Sequence, residues 1–228
     1  MADEFKGKLF VVPTPIGNLK DITLRALEVL QKAPFIACED TRRTKILLNH
    51  YGIKGKKLIS YYEPKEERQI PKLFKLLKNH DIALVSDAGT PAISDPGYKL
   101  IRACLNSGIV VEVLPGPSAF VTALVGSGLP TDSFIFVGFP PKKGTKGFFE
   151  NLRSCRASTF IVYESPKRVV KTLEIVREVF GNVRVCVARE LTKIHEEFIR
   201  GDIFEVMEEL KNRKTVKGEL TILFTEKP

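Results

Sequence analysis

Apolar residues fall in short unbroken runs through the first half of the chain, and between the runs they recur at helical spacing. Lys8 to Val12 (KLFVV), Phe35 to Ala37, Leu58 to Ser60, Ile82 to Val85 (IALV) and Ile109 to Leu114 (IVVEVL) read as strands. Thr23 to Lys32 reads as a helix with Leu24, Leu27 and Leu30 on one face, ended by Pro34. The next helix, capped by Asp40 or Thr41, turns Ile46 and Leu47 inward and stops at Gly52. Glu63 to Asn79 is helical in pattern, with Pro71 either kinking it or marking its true first turn. Asp95 and Pro96 read as the N-cap and first turn of a helix that ends before Gly108. Strands alternating with helices predict a parallel sheet with helices on its faces.

Past Pro117 the texture changes. Ser118 to Val125 is a small-residue helix, followed by a linker from Gly126 to Pro130, a strand from Phe134 to Val137 and a Gly- and Pro-bearing loop from Gly138 to Lys146. A helix over Gly147 to Ser154 precedes a strand at Thr159 to Tyr163. Ser165 and Pro166 open a helix with Val169, Val170, Leu173, Val176 and Phe180 inward, ending at Gly181. Strands follow at Val183 to Ala188, Glu197 to Arg200 and Leu220 to Phe224, with a helix at Ile203 to Asn212. Consecutive strands without an intervening helix predict a mixed sheet. The chain therefore reads as α/β with two α/β domains, 1–116 and 117–228.

Four of the five first-half strands run into narrow turns: TPIGN from Thr14, CEDTR from Cys38, SDAGTP from Ser86 and LPGPSA from Leu114. In a parallel sheet all four lie on one edge, the carboxyl edge where open α/β folds bind ligands. No GxGxxG follows a strand and no Walker-type loop is present, so the usual dinucleotide and nucleoside triphosphate loops are excluded.

The chain has 228 residues, 43% of them hydrophobic, enough for one large domain or two ordinary ones. Met1 to Lys6 shows no basic and then apolar leader pattern, and Ala119 to Leu129, the longest apolar stretch, falls far short of a membrane span. Cys38, Cys104, Cys155 and Cys186 are widely spaced, and His50, His80 and His195 lack ligand spacing, so neither a metal site nor a disulfide is expected. Thirty-six Lys and Arg against 27 Asp and Glu give a net charge of +9, which favours a polyanionic partner.

TPIGNLxDIT, ACEDTRxTxxLLxxxGI, LVSDAGTPxISDPG, VxxLPGPSAxxxAL, GFxP, YESPxR and ARELTKxxEE occur in that order between Thr14 and Glu197. Together they resemble the tetrapyrrole methylase superfamily, and within it the branch that methylates ribose in small-subunit ribosomal RNA. The resemblance implies a cytoplasmic homodimer, without membrane or metal, that 2′-O-methylates a cytidine ribose in the decoding region of 16S ribosomal RNA. It implies S-adenosylmethionine folded in a cleft between the two domains, with contacts carried over to Pro15, Ala88, Gly89, Thr90, Ile93, Ser118, Ala119 and Leu191. The residues themselves agree: Gly89 permits close backbone approach, Thr90 and Ser118 offer hydroxyls, and the helix start after Pro117 offers amides to a carboxylate. Asp87 either takes hydroxyls or the amine of that cofactor or caps its own turn. Many members carry a further small helical domain, whereas this sequence ends at Pro228.

Carboxylates next to strand ends are Glu39, Asp40, Glu164 and Glu190; Glu39, Arg42 and Glu190 are the candidate catalytic groups. Arg42, Arg168 and Arg189 either grip phosphates or simply pair those acids. Lys142, Lys143 and Lys146 are the candidate RNA contacts. Two other functions compete: a methylase of a corrinoid or porphyrin precursor, and a non-catalytic RNA-binding assembly factor. The acceptor motifs and the basic charge favour RNA over the first, and cofactor turns have no use in the second.

Overall fold

A strand covered on both faces needs apolar side chains at every position, and Ile82–Val85 is buried at all four. In the computed structural model, which describes residues 5–63 and 65–226, this strand lies at the centre of the first sheet. Met1 to Glu4, Pro64 and the last two residues lie outside the described residues, as do the parts of the leader and chain-end readings that rest on them. The chain divides into two units between Ser118 and Ala119.

In the first unit the strands are β1 (Leu9–Val11), β2 (Phe35–Cys38), β3 (Lys57–Ser60), β4 (Ile82–Val85) and β5 (Val111–Val113). The helices are α1 (Leu24–Lys32), α2 (Thr41–His50), α3 (Glu66–Leu77) and α4 (Tyr98–Asn106). The sheet runs β3-β2-β4-β1-β5, every pair parallel, with Leu9 beside Ile82 on one flank and Val111 on the other. Alternate residues serve opposite faces. Ile36, Cys38, Ala83 and Val85 pack with Ala26, Leu30 and Leu47, whereas Ala37, Ile82 and Leu84 pack with Leu73, Leu77, Leu100 and Cys104. Helices α1 and α2 thus cover one face and α3 and α4 the other, which leaves the carboxyl edge to the turns.

Two readings of this half need correction, and a third is decided. Leu24 is 80% exposed and Ile46 65%; the buried stripes are Ala26 and Leu30 in α1, and Thr44, Leu47 and Leu48 in α2. Of the two alternatives for Pro71, its place inside α3 excludes the helix start. Helix α4 begins at Tyr98 with Gly97 as its cap, at a φ of 144° that glycine tolerates, so Asp95 and Pro96 lie in the preceding turn. The Gly97 amide is satisfied from another helix, donating to Oε1 of the buried Glu66 at 2.9 Å.

The second unit holds α5 (Ala119–Ser127), β6 (Phe134–Phe136), α6 (Thr145–Arg153), β7 (Thr159–Glu164), α7 (Val169–Phe180), β8 (Arg184–Arg189), β9 (Glu197–Asp202), α8 (Ile203–Asn212) and β10 (Leu220–Thr225). Its sheet is mixed, in the order β6-β7-β10-β8-β9, parallel at β6–β7 and antiparallel elsewhere. Phe160, Val162, Val185, Val187, Ile222 and Phe224 face α6, α7 and α8 in one core, and α5 packs against β7, β8 and β10. Ser165 and Pro166 form a turn ahead of α7, which starts at Val169.

Helix α8 starts where it was expected because Asp202 and Glu205 form a capping box, the Asp202 carboxylate accepting from the Phe204 and Glu205 amides. Asp202→Ala should therefore lower stability by about 1 kcal/mol in denaturant unfolding. An unchanged midpoint would show that the cap contributes nothing.

Candidate functional site

The carboxyl edge of the first sheet is tied together loop by loop. Thr14, after β1, and Gly89, after β4, form a two-way bridge, each amide donating to the other's carbonyl at 2.9 Å. Thr14 is buried and its hydroxyl donates to the Ser86 carbonyl at 3.1 Å. The Ser86 hydroxyl turns back on the carbonyls of Ala88 and Gly89. Across to β5, the Thr90 hydroxyl donates to the Pro117 carbonyl at 3.1 Å, and a Cβ on Gly116 would come within 2.6 Å of the Pro13 ring. These hydrogen bonds and this close packing hold the loops after β4, β1 and β5, three adjacent strands, as one surface.

Gly89 sits in it at a φ of 77°, and a Cβ there would meet only Ile16 Cγ2 at 3.4 Å and the Pro117 carbonyl at 3.7 Å. Both are ordinary contact distances, so the protein itself lies against that position without crowding it. Ile93 is 41% exposed in the same loop, whereas Pro15 is buried. Ala88 is half-buried between Asp87 and Gly89.

Asp87 links this surface to the loop after β2. Its Oδ1 accepts from the Asp40 amide at 3.0 Å, and its Oδ2 lies 3.5 Å from Arg43 Nε. Asp40 in turn caps α2, accepting from the Arg42 amide at 2.8 Å, and takes the Arg42 guanidinium on both oxygens. That pairing holds the Asp40 carboxyl down at about 2. Glu39 behaves oppositely. Burial, then the neighbouring Asp87 charge, push its carboxyl above the ordinary glutamate value, with Arg43 opposing them. The edge therefore carries one carboxylate held ionised by its partners and one made more basic by its surroundings.

In the second unit the candidate acids are committed to structure. Glu190, with a φ of 51°, accepts from the Glu219 amide at 2.9 Å and from Lys193 Nζ at 2.8 Å, and Lys193 above all keeps it below its usual range. Leu191, beside it, is buried. Glu164 is buried and accepts from the Ser165 amide and the Thr172 hydroxyl at 2.7 and 2.6 Å. Arg189 pairs with Glu197, which also takes Arg213. Ala119 opens α5, and Ser118 is the last residue of the first unit.

Lys142 and Lys143 are exposed ahead of α6, but Lys146 lies in the helix's first turn with its Nζ 2.5 Å from Glu178. Thr172 escaped the sequence reading, as did the partners of Thr14 and Arg43. These contacts span eight or more residues, and nothing local marks them. Among the described residues, no group of three His, Cys, Asp or Glu could hold a metal ion, and no helix is long and apolar enough to cross a membrane.

The profile of the tetrapyrrole (corrin/porphyrin) methylases matches residues 8–207. A protein of Hydrogenobaculum sp. named ribosomal RNA small subunit methyltransferase I is 58% identical over 220 residues, which cover 96% of each chain. One of the same name from Thermotoga maritima is 44% identical over 97% of this chain and 99% of its own. Among solved structures, uroporphyrin-III C-methyltransferase of Thermus thermophilus complexed with S-adenosylhomocysteine is similar in fold, with a TM-score of 0.65 and 20% identity over 95% of this chain and 97% of that one.

Proposed function

The chain belongs to the tetrapyrrole (corrin/porphyrin) methylases, and from that premise we propose that it is an S-adenosylmethionine-dependent methyltransferase of small-subunit ribosomal RNA. The observation that carries the reading is the near-complete overlap with relatives of that name, across the same turns that hydrogen bonds join at the sheet edge. The acceptor in this reading is the 2′-hydroxyl of a cytidine in the decoding region of 16S ribosomal RNA. The setting is the cytoplasm and the working form a homodimer. Strand β5 is an edge strand, and Val113 in it and Val110 just before it are more than half exposed, an apolar border of the kind a second copy covers.

When bound, the cofactor supplies a methyl group on a sulfonium. The chain's own part is to hold and orient. The missing side chain at Gly89 lets a ligand lie directly against the backbone of Ala88 to Thr90, with Ile93 and Pro15 as apolar neighbours. Thr90 spends its proton on Pro117 and keeps its lone pairs for an incoming donor. Asp87 orients the loop after β2, which places Glu39 beside the same edge as the group able to take the ribose proton. Positioning of the two reactants supplies much of the remaining acceleration.

The deciding experiment gives the protein small ribosomal subunits from cells lacking this methylation, with methyl-labelled cofactor. A 2′-O-methyl group removes the hydroxyl that alkaline cleavage requires, so the label should survive alkaline hydrolysis in a single dinucleotide beginning with cytidine. Label in alkali-labile mononucleotides, or label accepted by a porphyrin precursor and not by subunits, would overturn the reading. In the same assay Lys142→Ala with Lys143→Ala should weaken RNA binding and flatten its dependence on salt by about two phosphate contacts. Lys146→Ala should change little, since that ammonium already pairs with Glu178.

A further inference from the structure

The segment from Gly138 to Lys143 is a surface loop, yet it is pinned at its centre. Arg168 Nη1 donates to the Pro140 carbonyl at 3.2 Å and Nη2 to the Pro141 carbonyl at 3.1 Å. On the far side the Thr145 hydroxyl donates to the same Pro141 carbonyl at 2.7 Å. Arg168 is in turn steadied from beneath. Its Nη2 lies 3.5 Å from Oε2 of Glu164, whose side chain is 1% exposed and also holds the Ser165 amide and the Thr172 hydroxyl. A buried carboxylate with three partners is a costly way to organise a loop unless the loop's shape matters. What the pinned loop presents is an aromatic ring beside two cations. Phe139 is 60% exposed, its ring 5.4 Å from that of Tyr163, and Lys142 and Lys143 follow within four residues.

We infer that this loop is a preformed single-stranded RNA surface, in which the Phe139 ring stacks on an unpaired base, Lys142 and Lys143 meet the flanking phosphates, and Arg168 is the positioning residue that fixes both. The inference rests on the proposed RNA substrate and names how that substrate is held. The chemistry is that of stacking platforms on a basic track: an exposed ring takes any base face, and lysines take the backbone. Arg168 suits this role because a guanidinium can reach two adjacent carbonyls at once, which a single ammonium does not do with the same geometry.

Binding of an end-labelled single-stranded oligoribonucleotide and of an RNA duplex, across a range of salt, tests it. Phe139→Ala should weaken single-strand binding about tenfold with the salt slope unchanged, and leave duplex binding unaltered, because stacked bases cannot reach the ring. Arg168→Ala should lose about tenfold, speed amide hydrogen exchange across residues 138–144, and raise KM for subunits while sparing kcat and cofactor affinity. Arg168→Lys should not restore binding; if it does, charge alone acts and the positioning role is overturned. Thr145→Val removes the outer pin and should give the same loosening in smaller degree, which keeps the test open if Arg168→Ala fails to fold. Wild-type affinity for the single strand in Phe139→Ala, or unchanged exchange in folded Arg168→Ala, overturns the inference while methyl transfer to subunits still stands. Failure of the wild-type protein to bind RNA or label subunits would instead overturn the reading beneath it, and the inference with it.

Discussion

Gly89→Val should fold and fail to bind S-adenosylmethionine. The backbone at residue 89 lies at a φ of 77°, where a β-branched residue costs about 1–3 kcal/mol. The added Cβ itself clashes with nothing, since it meets Ile16 and Pro117 at ordinary contact distances. The valine methyls instead fill the space against which the cofactor is proposed to lie, at the junction where Thr14, Gly89, Thr90 and Pro117 are bonded into one surface. Affinity by calorimetry should fall on the order of a hundredfold or more. Gly55→Val is the matched control. It carries the same strain at a φ of 74°, with nothing within 4 Å of its Cβ and a position before β3, at the opposite edge of the sheet. Equal loss in both variants would mean that strain, not occupied space, weakens binding. Unchanged affinity in a folded Gly89→Val would remove the cofactor from this loop.

The inner strands were legible because the first sheet is covered on both faces, so β2 and β4 write themselves as apolar runs. The helix faces were less so. The contact stripe of α1 is Ala26, Leu30 and the following Ala33, and alanine is a weak hydrophobic signal; weighting the leucines rotates the face and turns the exposed Leu24 inward. In α2 a threonine, Thr44, shares the buried stripe, which misplaces Ile46 in the same way. The start of α4 depends on Glu66 from α3, 31 residues away, and no local pattern announces such a cap. The same limit applies to the acids. Glu39, Asp40, Glu164 and Glu190 all stand beside strand ends, and only their partners separate them. Three are held by cations, amides or a hydroxyl, and those partners come from loop returns and neighbouring helices that a linear reading does not bring together.

Glu39→Gln should lower kcat by about a hundredfold or more, with KM for subunits, cofactor affinity and melting temperature near wild type. The carboxylate must be ionised to accept the ribose proton, so the wild-type rate should climb with pH through the Glu39 pKa and then level. That pKa stands above the usual glutamate value because of burial first and the Asp87 charge second, with Arg43 pulling it down. The neighbours therefore give opposite signs. Asp87→Asn removes a like charge and should move the acidic limb to lower pH, whereas Arg43→Gln removes the opposing cation and should move it higher. Glu39→Gln should abolish the limb altogether. Both neighbour variants also disturb the Asp87–Arg43 pair, so a change caused only by a loosened loop would shift them in the same direction. Opposed shifts require a titrating group that feels both charges. A Glu39→Gln enzyme that turns over normally and melts lower would make Glu39 a structural residue and leave the proton to leave without a protein base.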